Sequence, residues 1–262
     1  MKKFFGCLLV MVLACVANAT DFQLLAHWNF EGTAGTTTVY DSVSNRAATI
    51  MNGASLNGTG GVVLAGGSGP NNQYIDLGAS FGNLIGSLSS YRVEITFTWD
   101  GPASGNDSKL WSFSLPKTEG SSDFPQGAML TFVSNNDHYT RYIYRRDGVS
   151  TPEINRSYST DLIAEEMTIG IEYDENLGTN GFGAVRTLKN GVQEAYSTQN
   201  RDLSYSIIGT PTRNYIGKSP YETGNGFDGL ISDFKVYGVV VPEPTTMVML
   251  GFGALSLFRK RK

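Results

Sequence analysis

The chain has 262 residues with 24 acidic and 20 basic side chains, a formal net charge of −4. Six basic residues crowd the two ends, Lys2, Lys3 and Arg259 to Lys262, so residues 20–241 hold 14 basic against 23 acidic groups, a net −9. A body this acidic does not seek nucleic acid or an anionic membrane surface, and 40% hydrophobic residues excludes wholesale disorder.

Residues 1–19 read as a leader. Lys2 and Lys3 precede an apolar run from Phe4 to Val16, and Ala17-Asn18-Ala19 supplies small residues at −3 and −1 for signal peptidase. Cleavage is expected after Ala19. An alternative leader reading takes Val12-Leu13-Ala14-Cys15 as a lipobox, which makes Cys15 a lipidated N-terminus. Both cysteines, Cys7 and Cys15, lie in the leader. After cleavage at Ala19 the protein has no disulfide, no thiol nucleophile and no thiolate metal site.

The body, residues 20–241, is rich in strand signals. In Tyr91–Trp99, Val93, Ile95, Phe97 and Trp99 alternate with Arg92, Glu94, Thr96 and Thr98, the period of a half-buried antiparallel strand. Leu110–Leu115 predicts a second strand, ended by Pro116. Ala128–Val133 and Tyr139–Arg145 predict a pair around Asn135-Asn136-Asp137. Met167–Tyr173 alternates again. Ala184–Leu188 and Val192–Tyr196 flank Asn190-Gly191, a type I′ hairpin signal, and Leu230–Val241 is the last strand pattern. Helix is expected only as one turn around Thr160–Glu166 and in Ala79–Leu88. Many short strands with 31 glycines and almost no helix predict an all-β fold, a two-sheet antiparallel jelly-roll sandwich in one domain.

Two segments carry a family resemblance. Leu25-Ala26-His27-Trp28-Asn29-Phe30-Glu31-Gly32 leads to Tyr40-Asp41-Ser42 near the start. Asn214-Tyr215-Ile216-Gly217-Lys218-Ser219-Pro220 leads to Phe227-Asp228-Gly229-Leu230 and Asp233-Phe234-Lys235-Val236-Tyr237 near the end. With Tyr74-Ile75-Asp76-Leu77-Gly78 between them, this series resembles the laminin-G-like, concanavalin A-like jelly rolls of bacterial surface proteins. The resemblance implies paired first and last strands, and one structural Ca²⁺ where they meet, with Asp41 and Asp228 as ligands and Glu31 nearby. The family's Ser-Gly-Asn-Gly after Asp41-Ser42 is replaced here by Val43-Ser44-Asn45-Arg46. The Gly101–Asp107 insertion and the long Tyr144–Thr160 connection are further departures.

Catalytic signatures are broken. A retaining glycosidase needs two carboxylates about 5–5.5 Å apart. The nearest set, Glu172-Tyr173-Asp174-Glu175-Asn176, has Asn at its third acid position. His27 reads as a structural residue of the first strand. His138 with Arg141, Tyr139 and Tyr142 could be cast as a polysaccharide lyase, but without a Gln-x-His signature. The strongest binding candidate is His138–Arg146, with Tyr139, Tyr142 and Tyr144 interleaved with Arg141, Arg145 and Arg146. Aromatic faces stack on sugar rings and guanidinium forks pair with carboxylates or sulfates.

The C-terminus, residues 242–262, closes the chain with Pro242-Glu243-Pro244, fourteen uncharged residues from Thr245 to Phe258, and four basic residues. It resembles the PEP-CTERM sorting signal of Gram-negative bacteria. The resemblance implies transient anchoring in the inner membrane through residues 245–258. It also implies processing near Pro242-Glu243-Pro244 by a membrane exosortase, and release to the cell surface or extracellular matrix. The expectation is a non-enzymatic protein whose jelly roll binds polysaccharide or a surface protein. The alternative is a secreted carbohydrate-active enzyme on the same scaffold.

Overall fold

The computed structural model describes residues 21–67, 69–101, 107–116, 125–134, 139–146, 149–158, 162–179, 181–221 and 225–240. The sequence-predicted sites at Ala17 and Ala19, at His138, and at Pro242, Glu243 and Pro244 lie outside these residues.

Two antiparallel sheets face each other, as the sequence predicts. The first runs in the order β1 (Gln23–Trp28), β15 (Asp228–Val240), β6 (Leu88–Trp99), β11 (Glu166–Asp174), β12 (Ala184–Lys189) and β13 (Val192–Thr198), and β4 (Val62–Ala65) also pairs with β15. The second has the order β10 (Val149–Ser157), β9 (Tyr139–Arg146), β8 (Ala128–Ser134), β7 (Asp107–Ser114), β14 (Arg213–Ile216), β5 (Tyr74–Asp76), β3 (Ala47–Met51) and β2 (Thr38–Tyr40). The first and last strands pair, Gln23 with Gly238 and Trp28 with Phe234.

The period-two pattern decides what faces inward. On β6, Val93, Ile95, Phe97 and Trp99 are buried while Arg92, Glu94, Thr96 and Thr98 are half exposed. An aromatic seam joins the sheets. Trp28 meets Phe81 edge-on at 5.6 Å, Phe81 meets Phe113 at 5.2 Å, and Phe113 meets Phe234 at 6.4 Å. Such pairs add about 0.5–1.5 kcal/mol each beyond area burial. Asn190 and Gly191 both take positive φ, 50° and 79°, and close the β12–β13 hairpin.

Among the described residues, α-helix is confined to α1 (Gly78–Ile85) and α2 (Tyr205–Ile208), with one 3-10 turn at Gly69–Asn71. A Cβ on Gly82 would lie 1.7 Å from the Pro211 carbonyl oxygen, so α1 packs against that segment only with glycine there. Two local expectations are corrected. The described residues between Thr160 and Glu166 form no helical turn. Ile163 bridges Trp99 instead, and Glu166 opens β11. The Tyr144–Thr160 connection holds the edge strand β10, because Ile154 reaches the core and its neighbours can pair with β9.

Candidate functional site

The binding segment is the strand β9, and its alternation divides it. Tyr139, Arg141, Ile143 and Arg145 point out of the sandwich. Thr140, Tyr142 and Tyr144 point in. The Tyr142 hydroxyl lies 2.5 Å from that of Tyr91, and the Tyr144 hydroxyl donates to the Ser204 carbonyl at 3.1 Å. Burial pushes both phenols above the ordinary tyrosine range. The expectation that Tyr142 and Tyr144 offer ring faces to a ligand is therefore corrected, since both are fully enclosed.

Cross-strand register assembles the rest of the outer face from distant sequence. Lys109 stands opposite Phe132, Phe132 opposite Arg141, and Arg141 opposite Asn155, one row across β7, β8, β9 and β10. The Lys109 ammonium lies 4.3 Å from the Phe132 ring centre. The Arg141 guanidinium lies 5.7 Å from that centre and 5.1 Å from the Tyr139 ring, and its Nε donates to Asn155 at 2.7 Å. In the next rows, Tyr215 stands opposite Ser112, and Arg213 opposite Ser114, which leads through Ala128 to Arg145. Beyond Tyr215, Tyr74 meets it edge-on at 5.1 Å, and the Lys218 ammonium lies 4.1 Å above Tyr74.

Among the described residues, five cations, Lys109, Arg141, Arg145, Arg213 and Lys218, share this face with two carboxylates, Asp107 and Asp76. The floor of the face, Ser112, Ser114, Leu130 and Phe132, is buried, whereas Tyr139, Arg141, Arg213 and Tyr215 are half exposed. Lys109 is 7% exposed, and burial draws its ammonium below the ordinary lysine value despite Asp107 at 3.6 Å. The Ser114 hydroxyl is buried without a hydrogen-bond partner. An anion placed over this face would offset the desolvation of buried cations. Lys109, Phe132, Arg213, Tyr215 and Lys218 escape sequence reading because no local motif links strands so far apart.

The carboxylates offered as a broken acid set lie elsewhere. Glu172 is buried on the outer face of the seven-stranded sheet, between Arg92 and Arg186. Asp174 accepts the Asn176 N–H at 2.9 Å, and Glu175 accepts the Ser89 hydroxyl at 2.8 Å. His27 Nε2 lies 2.7 Å from Asp233 Oδ2, which also meets the Lys235 ammonium through its other oxygen at 2.7 Å. This ties β1 to β15, a structural role.

Asp41 and Asp228 are not brought together. Asp41 sits beside β1, where Ser42 N–H donates to the His27 carbonyl, and His27 pairs with Lys235. Asp228 begins β15, seven residues away along that strand, or about 23 Å. The Asp41 carboxylate accepts the Val43, Ser44 and Arg46 N–H groups at 2.9–3.0 Å and the Ser44 hydroxyl at 2.7 Å. Burial alone would raise its pKa, but these donors outweigh burial and hold it below the ordinary value. The residues Val43-Ser44-Asn45-Arg46, a departure from the family pattern, are the ones this carboxylate organises. Asp228 is shifted upward by burial and by the Asp100 carboxylate. Among the described residues no cluster of three metal-ligating side chains occurs. A cleft of about 310 Å³ lies at the β2 edge, lined by Asn29, Glu31, Thr36, Tyr40 and Leu56 among others, beside Asp41 in the chain and away from the predicted binding residues of β9.

Residues 240–262 match the PEP-CTERM protein-sorting motif. No curated protein sequence matches the chain. Among solved structures, the Ruminococcus gnavus intramolecular trans-sialidase CBM40 bound to α2,3-sialyllactose is similar, with 17% identity, a TM-score of 0.54, and coverage of 70% of this chain and 92% of that one. The leech intramolecular trans-sialidase is similar at 17% identity and TM-score 0.54, over 71% of this chain and 26% of that one. The binding domain of botulinum neurotoxin DC matches at 14% identity and TM-score 0.51, over 83% of this chain and 48% of that one. At these identities the likeness is one of fold. The chain is a two-sheet jelly-roll protein that carries a PEP-CTERM motif for sorting outside the cytoplasm.

Proposed function

We propose that this is a non-enzymatic surface or matrix protein that binds an anionic carbohydrate on the outer face of its eight-stranded sheet. The observation that carries the reading is the setting of Lys109, Arg141 and Lys218 against the rings of Phe132, Tyr139, Tyr74 and Tyr215. Aromatic rings suit the apolar face of a sugar, and the arginines suit its carboxylate or sulfate. A similar fold holds a sialylated sugar in the R. gnavus module, which supports a glycan as the guest. Binding rather than catalysis is supported by Glu172 and Asp174, whose carboxylates are engaged in an ion-pair row and a turn. Signal peptidase would remove residues 1–19. An exosortase would process the tail near Pro242-Glu243-Pro244 and release the domain from a Gram-negative inner membrane.

Titration of residues 20–241 against glycans matched in length but differing in charge tests the ligand. Acidic glycans should bind, more weakly as salt rises, and neutral ones should bind at least tenfold more weakly. Equal binding of neutral glycans, or binding indifferent to Arg141→Ala, would overturn the reading. Mass spectrometry of the native surface form should find neither residues 1–19 nor Arg259–Lys262.

A further inference from the structure

The end of β15 fixes how the domain stands while its tail is in the membrane. Gly238 pairs with both Gln23 and Tyr91, Val239 with Ser90 and Val240 with Leu88, so the strand is held to its last residue. Only residues 241–244 separate it from the uncharged run Thr245–Phe258. Four residues reach at most about 14 Å. With that run in a bilayer, this pole of the sandwich stays at the interface.

The same pole carries the turn between β11 and β12, whose start packs on β6 through Glu175 N–H to Ser90 Oγ at 3.1 Å. Leu177 and Phe182 on this turn are 36% and 42% exposed, and Leu24 on β1 is 39% exposed. Tyr196 is 47% exposed, and its hydroxyl donates to the Leu177 carbonyl at 3.0 Å. Of the carboxylates here, Asp174 accepts the Asn176 N–H, Glu175 the Ser89 hydroxyl and Asp202 the Ser204 N–H at 2.7 Å, while Glu175 and Asp21 are exposed. Apolar and phenolic side chains point outward here beside acids mostly engaged by protein donors, a pattern that suits the headgroup boundary of a bilayer. The net negative body disfavours free adsorption to anionic lipid, so the tether supplies the contact.

We infer that Leu24, Leu177, Phe182 and Tyr196 form a membrane-resting pole, in contact with lipid as long as the tail is uncut. This rests on the reading of the tail as a transient anchor. After cleavage at Ala19 the chain is free of cysteine, which makes the test direct. Protein spanning residues 20–262 is reconstituted in phosphatidylcholine vesicles with one dye-labelled cysteine at a time: Leu177→Cys, Phe182→Cys, or Val192→Cys at the opposite pole. Flotation with the vesicles reports the anchor. A lipid-borne quencher reports the pole, and dye at 177 and 182 should be quenched at least threefold more than at 192. Flotation with equal quenching at all three positions overturns the pole and leaves the anchor standing. Failure to float overturns both.

Discussion

The two outer faces of the sandwich are built from the same residue types and differ in how the charges are matched. On the seven-stranded sheet, Tyr237, Arg92, Glu172, Arg186 and Tyr196 stand in one row, and the buried Glu172 has an arginine on each side. The Arg92 guanidinium lies 4.6 Å from the Tyr237 ring centre and 3.5 Å from Glu94. On the eight-stranded sheet, Lys109, Arg141 and Lys218 lie against the rings of Phe132, Tyr139 and Tyr74. The first face sets its arginines around a buried carboxylate. The second sets its cations against aromatic rings, and the proposed glycan binding rests on that setting.

The largest expected effect lies on the matched face. Arg92→Ala with Arg186→Ala leaves the Glu172 carboxylate buried without its cations, which costs about 3–5 kcal/mol. For a body of this size the melting temperature should fall by roughly 6–15 °C, with glycan binding by the folded protein unchanged. Loss of binding without loss of stability in that variant would reverse the assignment of the two faces. On the outer face of the eight-stranded sheet the pattern should invert. Lys109→Met removes a desolvated ammonium, so melting should hold or rise while affinity for an acidic glycan drops about tenfold, near 1.4 kcal/mol. A lower melting temperature with full binding would show that Lys109 serves the fold.

Tyr142→Phe should sharpen the division within β9. It deletes the hydroxyl pair with Tyr91 and should cost about 1 kcal/mol of stability with no change in binding, whereas Tyr139→Ala should weaken binding and spare stability. Smaller effects are expected from the two aspartates. The folded-state pKa of Asp41 is depressed, so its stabilisation is present above the unfolded value and disappears as pH falls through the folded one. Asp228 is shifted upward, so its contribution has the opposite sign and is lost as pH rises through its folded pKa. Melting curves between pH 2 and 7 should therefore flatten in Asp41→Asn, while Asp228→Asn should melt slightly higher than the parent at pH 7.

The strands with clean alternation were legible from local sequence: β6 from Val93 to Trp99, β11 from Met167 to Tyr173, and the β12–β13 hairpin from Asn190-Gly191. The edge strand β10 was not, because Pro152 and the run of polar residues around it read as a loop. The composition of β9 was legible and its geometry was overlooked. Period two alone places Tyr142 and Tyr144 opposite Tyr139, Arg141 and Arg145, so the five could never share one surface. The partners of Arg141 were beyond local reading, since Lys109, Phe132 and Asn155 meet it only through sheet register. Asp41 was singled out from a motif, but its role follows from the Val43–Arg46 segment that it caps.

The position of β15 ties folding to the completion of synthesis. This strand is the last of the body to be made, yet it lies between β1 and β6 and also holds β4. Until it arrives, β1 has no neighbour, and the contact from Gln23 to Gly238 spans almost the whole body. Loop closure over that distance is slow, and sheets built on such pairings fold late. A nascent chain therefore remains loose and threadable until nearly all of it has emerged. The first sheet can therefore close only when the C-terminal apolar segment is close behind.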